Sequence, residues 1–405
     1  MKQQVRILYL THDGLTDPLG QSQILPYLTG LSSLGYQIAI ISLEKPDNFS
    51  KRRSQVAALC KTHGIVWQPL PYHTRPPVLA SVFDLWRMRR RAAMLHRSKP
   101  FQIVHCRSYL TSLTGLWLKR KFGLRFLFDM RGFWADERRE SGAWPVAHPL
   151  YSRVYQFFKQ KEKEFLRTAD AIVSLTQNAA SALADIERNH APVTVIPTCV
   201  DMHHFDPVKV SEESKDALRS RYGIAPGEPV MLYLGSWGNL YLPDKMLAFF
   251  DTLRVRAPRA KFIILSNNPS EIQLTKTKGL IIASASRDEV PIWISIATFG
   301  VCFISPTFSK KASAATKIAE LLAMNVPFVT NAGWGDLELL ARDTGCGWVL
   351  PDFSDASLVE ATESVLAGNL TANFREVCQN HFDLNSGVRR YNGVYQFLSI
   401  PKKAV

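Results

Sequence analysis

Short apolar runs of β type alternate with stretches of helical periodicity along the chain. Residues 5–10 are followed by 22–34, and 37–42 by 51–63; further apolar runs stand at 103–106, 126–130, 171–175 and 193–196. Strands that alternate with helices in this way predict a parallel sheet wrapped by helices on both faces. A charged polar stretch at 211–221 breaks the rhythm. It restarts with strands expected at 230–234, 261–266, 279–283, 300–304, 327–330 and 348–350. The expected fold is therefore α/β, with two Rossmann-like halves of nearly equal size. The expected domains are 1–205 and 206–385, with the last helical stretch, within 386–405, crossing back to the first half. There is no internal repeat of 20 to 50 residues.

Length and composition agree with this outline. The 405 residues suit two or three domains at about 100 to 200 residues each. With 46% hydrophobic and 21% charged residues the chain is an ordinary globular protein, which excludes disorder as its main state. Residues 290–309 carry no charge, but Pro291, Gly300, Pro306 and several hydroxyls interrupt them. They read as a short helix and a strand rather than a membrane span, which needs about 20 continuous apolar residues. The apolar stretch near the N-terminus is too brief for a signal-peptide core and reads as the first strand.

Charge adds a second layer. The formal net charge is +14, and the excess belongs to the first half: residues 1–200 hold 28 basic and 14 acidic residues. Within 51–125, Asp84 is the one acid among sixteen Lys and Arg. Such a field attracts polyanions, either nucleic acid or an anionic membrane, while a solvated basic face is the bland alternative. Residues 83–97 and 116–122 interleave Trp, Phe, Met and Leu with Arg and Lys, a combination suited to the headgroup layer of a membrane. The same pattern would arise from amphipathic helices whose apolar side faces the core. The six cysteines are scattered without C-x-x-C or zinc-finger spacing, so a reduced cytosolic compartment and no structural zinc are expected.

Two segments carry candidate chemistry. Residues 13–23 lead from the first strand into the first helix. Gly20 would let the backbone approach a ligand, with Gln21 and Ser22 beside it, and free amides at a helix start favour an anion. An ordinary turn with Ser22 as helix cap would read alike. The stronger cue spans 306–327, where a loop bearing Lys310, Lys311 and Ser313 precedes a helix with Thr316, Lys317 and Glu320. Thr316 and Glu320 share a helix face. Lysines suit a phosphate, and a carboxylate can accept both hydroxyls of a ribose or sugar.

The Lys311-x-Ser313-x-x-Thr316-Lys317-x-x-Glu320 segment, followed by Asn325-Val326-Pro327, resembles the donor-binding segment of family 4 glycosyltransferases of the GT-B fold. Residues 195–205 resemble the interdomain I-P-N-G-V-D…F of that family. Leu234-Gly235-Ser236 with Tyr241 resembles the opening of its second domain, and Gly333-Trp334-Gly335-Asp336 its later glycine loop. Residues 13–26 and Phe128-Asp129-Met130-Arg131-Gly132-Phe133-Trp134 resemble first-domain segments of a bacterial subgroup that builds surface polysaccharide.

The resemblance implies two Rossmann-like domains facing each other across a cleft. It also implies transfer of a sugar from a nucleotide-sugar donor to a glycan or lipid-linked acceptor, with retention of configuration. It places Gly235, Ser236, Lys310, Ser313, Thr316 and Glu320 at the donor, Arg131, Lys311 and Lys317 at the chemistry, and Gly20, Gln21 and Ser22 at the acceptor or phosphate; Arg287 is expected at the donor as a further source of positive charge, with Lys310, Lys311 and Lys317. Three positions depart from the family pattern. Ala312 stands where the first Glu of an E-x7-E pair is usual, Arg131 where a His is usual, and the loop after the second domain's opening strand lacks the usual Arg and Lys.

No Asp-x-Asp occurs in the sequence, so no metal and no cofactor are expected, with charge neutralised by Lys, Arg and backbone amides. The expected location is the cytoplasm, peripheral on the inner face of the membrane, with an anionic lipid surface as partner and no nucleic acid. A nucleotide-sugar epimerase of the same fold is the nearest alternative, and a nucleic-acid-binding protein the alternative from another class. The latter rests on charge alone, without a recognisable binding module.

Overall fold

The computed structural model describes residues 4–145, 147–266, 269–272, 278–370 and 372–400. The chain divides into two compact units, 1–197 with 384–405, and 198–383. Residues 401–405 of the expected returning segment lie outside the described residues.

Among the described residues, the first unit holds strands β1 (Arg6–Leu10), β2 (Gln37–Glu44), β3 (Val66–Pro71), β4 (Ile103–Arg107), β5 (Arg125–Asp129), β6 (Ala171–Ser174) and β7 (Val193–Val195). They form one sheet in the order β3-β2-β1-β4-β5-β6-β7, and every pairing is parallel. The second unit holds β8 (Val230–Leu234), β9 (Lys261–Leu265), β10 (Leu280–Ala283), β11 (Phe299–Cys302), β12 (Phe328–Asn331) and β13 (Gly347–Leu350), ordered β10-β9-β8-β11-β12-β13 and again parallel. Helices cover both faces, so central strands such as β4, β8 and β11 are buried along their whole length. That is why β8 and β11 appear in the sequence as unbroken apolar runs.

The sequence reading missed β3, whose Val66-Trp67-Gln68-Pro69-Leu70-Pro71 contains two prolines. Proline cannot donate to a ladder, and β3 tolerates it because it is an edge strand. The helix expected over 22–34 is instead two, Pro18–Gln23 and Leu25–Ser33, meeting at Ile24 with φ −121°. Pro26 has no N–H to donate to the carbonyl of Ser22, four residues back, so the first helix cannot continue through it, and proline is well tolerated in the first turn of the second.

The first unit ends earlier than residue 205. Val200 and Phe205 are buried in the apolar cluster of the second unit with Ile224, Leu232 and Phe374. The C-terminal helix Leu384–Ser399 belongs to the first unit and packs on Leu25–Ser33. A Cβ on Gly30 would stand 2.8 Å from Val388, the Tyr27 and Tyr391 rings are 5.5 Å apart, and the Tyr36 hydroxyl donates to Asn392 Oδ1 at 2.7 Å.

Candidate active site

In the second unit the site grows out of the helix Thr316–Ala323. Its Ile318, Leu321 and Leu322 are buried, and it sits tightly on β11, where a Cβ on Gly300 would meet Leu321 at 2.1 Å. Close seating brings its first turn level with the carboxyl ends of β8 and β9, the usual ligand side of a parallel sheet. A cavity of about 240 Å³ lies there, lined by Gly235, Ser266, Ala285, Thr316, Lys317 and Glu320 among others. That is smaller than a site for a whole drug-sized ligand and suits one part of a nucleotide sugar.

Lys317 is 8% exposed, and its Nζ has no hydrogen-bond partner among the described residues. The ammonium instead lies 4.2 Å from the Tyr233 ring centroid and 4.0 Å from that of Tyr241. Two aromatic faces thus hold a desolvated cation by their quadrupoles. Gly235, at φ 119°, leaves room for it, since a Cβ there would stand 3.1 Å from Nζ. The Tyr233 hydroxyl donates to the Ser236 carbonyl and so fixes the ring. One turn on, burial raises the pKa of Glu320, opposed by the nearby charges of Arg287 and Lys317.

Gly235, Thr316, Lys317 and Glu320 therefore meet at one cavity, and Arg287 reaches Glu320 electrostatically while its guanidinium covers the Phe205 ring at 5.8 Å. Ser236, Lys310, Lys311 and Ser313 are not among the residues lining it. Lys310 and Lys311 lie in the 3-10 turn Phe308–Ala312, with Lys311 Nζ 5.6 Å from the Phe308 ring. That turn is clasped by the glycine loop: Gly335 N–H donates to Lys310 O at 2.9 Å, and a Cβ on Gly335 would fall 2.4 Å from Ser313 O.

In the first unit, residues 13–17 are held by a buried carboxylate. Glu44 accepts from the Leu15 and Thr16 amides at 2.8 and 3.1 Å and from the Thr16 and Ser42 hydroxyls. Gly20 is buried, and a Cβ there would meet Gly14 O at 2.1 Å. Its small size serves the packing of the turn on itself. Gln21 Nε2 donates to Leu15 O at 2.6 Å. Ser22 is not the helix cap, since the helix begins at Pro18 after Asp17; its hydroxyl donates to Pro18 O at 3.0 Å.

Arg131 follows β5 with φ 57°, a left-handed conformation that costs a non-glycine residue about 1 to 3 kcal/mol. Its side chain is 11% exposed, and Nη1 stands 3.9 Å from Asp129 Oδ1. Asp129 Oδ2 accepts from the Tyr391 hydroxyl at 2.9 Å and contacts His105 Nε2 at 3.2 Å; His105 Nδ1 is 2.7 Å from the Tyr395 hydroxyl. Beside them, buried Arg107 donates from Nε to Asp13 Oδ2 at 3.3 Å. Burial alone would raise the Asp129 pKa, but Arg131, His105 and Arg107 outweigh it and the net shift is downward. Burial lowers that of His105 against the pull of Asp129.

The sequence reading did not single out His105, Arg107 or Tyr233. A signal existed: His105 and Arg107 are charged or titratable residues set within a short buried strand of a parallel sheet, where each polar group needs a partner or a task. Among the described residues no group of three or more His, Cys, Asp or Glu could hold a metal ion, and no helix is long and apolar enough to cross a membrane. All six cysteines are buried thiols.

Residues 21–199 match the family described as the glycosyl transferase 4-like domain. Over its whole length the chain has the two-sheet fold typical of GT-B glycosyltransferases. Sucrose-phosphate synthase from Thermosynechococcus elongatus superposes with a TM-score of 0.71 at 14% identity, over 98% of this chain and 99% of that one. The Anabaena protein HepE in complex with UDP-glucose gives 0.68 at 12% identity, over 96% and 99%. In sequence, a D-inositol 3-phosphate glycosyltransferase of Nocardia farcinica is 28% identical over 126 residues, 31% of this chain and 27% of that protein. The match therefore spans about a quarter of that relative's length.

Proposed function

We propose that the chain is a metal-independent retaining glycosyltransferase, which moves a sugar from a nucleoside-diphosphate sugar held by the second unit to a glycan or lipid-linked acceptor held by the first unit. The observation that carries this reading is the buried Lys317 ammonium, which faces Tyr233 and Tyr241 without a hydrogen-bond partner and lines the same cavity as Glu320. As the bond from sugar to diphosphate breaks, negative charge develops on the departing phosphate. A preorganised cation in a low-dielectric pocket stabilises that charge without reorganising. Glu320 accepts the hydroxyls of the donor's ribose, and Arg287, Lys310 and Lys311 add positive field. UDP-glucose in HepE supports a uridine nucleotide as donor.

On the acceptor side, Arg131 takes the position of the family's usual His. Its strained backbone and nearly buried guanidinium suit it to orient an acceptor group rather than to move a proton. The concentration of basic charge in this unit supports work at the cytoplasmic face of a membrane, on the precursors of a surface polysaccharide.

The test is turnover of the purified chain with a panel of UDP, GDP, ADP, CMP and dTDP sugars, after exhaustive dialysis and in excess EDTA. Release of nucleoside diphosphate with at least one donor, and a retained anomeric configuration in the product, is the expected result. Activity that needs restored magnesium or manganese refutes metal independence. Isomerised donor sugar released without any acceptor refutes transfer and identifies an epimerase.

A further inference from the structure

The helix Pro77–Ser98 has two faces that the sequence could not separate. Ala80, Leu85, Met88 and Ala92 are buried, together with Asp84. On the opposite side, Leu79, Val82, Phe83, Trp86 and Met94 are 67%, 58%, 48%, 53% and 52% exposed. Their spacing of three, four and seven to eight residues puts them on one outward stripe. Five large apolar side chains on one stripe are therefore left in water, although the same helix has a separate apolar side for the core.

The stripe is also basic. Beside it, between this helix and Ser108–Phe122, lies a groove of about 560 Å³ lined by Trp86, Arg89, Arg90, Met94, Arg97 and Trp117. The Arg90 guanidinium lies 5.7 Å from the Trp86 ring centroid, Arg89 lies 5.9 Å from Trp117, and Lys121 Nζ lies 5.0 Å from Trp117. Indole faces thus hold the cations at the boundary between apolar surface and water. Neither Arg90 nor Arg97 forms an ion pair with a described acid. Asp84, the one acid of residues 51–125, is fully buried and spent on His73, accepting from its amide at 2.9 Å and meeting its Nδ1 at 2.6 Å. Asp84 also stands 3.9 Å from Arg87 Nη1, but no described carboxylate pairs with Arg90 or Arg97.

We propose that this stripe and groove are a docking site for an anionic phospholipid bilayer. Arg90 and Arg97 grip headgroup phosphates in the groove, while Leu79, Val82, Phe83 and Trp86 enter the boundary with the acyl chains. The proposal deepens the membrane location stated above and rests on it. Arginine and tryptophan alone would also suit single-stranded nucleic acid. The aliphatic residues decide for the bilayer, because Leu79 and Val82 gain from burial among acyl chains and nothing from stacking on bases. The stripe from residue 79 to 97 is about 27 Å long at 1.5 Å per residue, enough for the helix to lie flat in the interface.

The test is co-sedimentation of the full chain with vesicles of phosphatidylcholine alone and of phosphatidylcholine with a third phosphatidylglycerol, from low to about half-molar salt. Wild type is expected on the anionic vesicles only. Each basic residue at such a surface is worth about fivefold in partitioning, so R90Q/R97Q should lower binding about 25-fold. K51Q/K61Q, an equal loss of charge on exposed positions of the helix Pro46–Thr62, should lower it far less. V82S/W86S should bind at low salt but lose the part of wild-type binding that survives high salt. UDP affinity should be unchanged in all three.

Equal losses in R90Q/R97Q and K51Q/K61Q would overturn the groove and leave a diffuse basic field, with membrane location intact. No sedimentation of wild type on anionic vesicles would overturn membrane location itself. Tighter binding to single-stranded RNA than to the vesicles would overturn the bilayer as occupant.

Discussion

Replacing Lys317 by Met separates what the site costs from what it does. The ammonium has given up water without gaining a hydrogen bond, which for a buried ion costs several kcal/mol after relaxation. Two aromatic faces at 4.2 and 4.0 Å return about 1 to 2 kcal/mol each. The cation thus contributes close to nothing, or a net cost, to the stability of the second unit. Met is unbranched, fills a similar volume and keeps favourable contacts between sulfur and the two rings.

Lys317→Met should therefore leave the melting temperature unchanged or raise it, by about 2 to 4 °C for each kcal/mol in a unit of this size. Binding of UDP should fall, since a charge-assisted hydrogen bond to phosphate is worth about 1.5 to 3 kcal/mol, or roughly 10- to 150-fold. Differential scanning calorimetry and isothermal titration with UDP on the same preparations give both numbers. Unchanged UDP affinity would refute the donor role. A melting temperature lowered by about 5 °C or more would show that the ammonium is a structural element and that its lack of a partner has been misjudged.

Glu320→Gln should weaken donor use about tenfold, and its effect on stability has a definite sign with pH. Burial raises the Glu320 pKa above that of the unfolded chain, so its contribution is favourable below the unfolded value and is lost as pH rises through the folded one. The variant should thus gain stability at neutral pH, and thermal melts should show that gain vanish below about pH 4. Asp129→Asn should do the opposite in the first unit, because it leaves Arg131 nearly buried without its carboxylate and removes a nearby negative charge from Arg107, which keeps Asp13; breaking such a cluster costs about 3 to 5 kcal/mol. Since the folded pKa of Asp129 is depressed, the wild-type advantage should be full above the unfolded value and fade as pH falls through the folded one, which acid titration of the two proteins by circular dichroism would show.

The parallel sheets were legible because most of their central strands, such as β8 and β11, are buried on both sides and appear as apolar runs. Edge strand β3 was not, since its ladder accepts Pro69 and Pro71 only by virtue of a position that sequence does not disclose. The break at Ile24 was written in Pro26, but the apolar periodicity on either side of it concealed the change of axis. In the second unit, Thr316, Lys317 and Glu320 could be picked out because one short helix carries them. Tyr233 could not, because a tyrosine in an apolar strand looks like core until Lys317 is seen against its face. His105, Arg107 and Asp129 come from neighbouring strands, and only sheet order brings them together. The basic helix was ambiguous for another reason: its apolar residues belong to two faces, and charge density does not say which of them faces out.

Where the local rules are broken also carries information. At the start of β5, Asp170 accepts from Lys119 Nζ at 2.5 Å, from Arg125 at 3.1 Å and from the Phe126 amide at 2.8 Å, so that end of the strand is fully paired. At its other end stand a left-handed Arg131, a long contact to Asp129 Oδ1 and an Oδ1 without a hydrogen bond. The second unit repeats the contrast, with Lys317 unpartnered beside the carboxyl ends of β8 and β9. Both units contain satisfied carboxylates and capped helices elsewhere, so the exceptions do not reflect a poor core. Strain and unmet polar groups persist where selection has a use for them. Other buried atoms lack a hydrogen bond too, Arg254 Nε and Thr362 Oγ1 among them, but at Asp129 and Lys317 a charged group lies at or beside the carboxyl end of a strand, which argues for two sites, one per unit. Two binding partners, a donor and an acceptor, are what a transfer reaction requires.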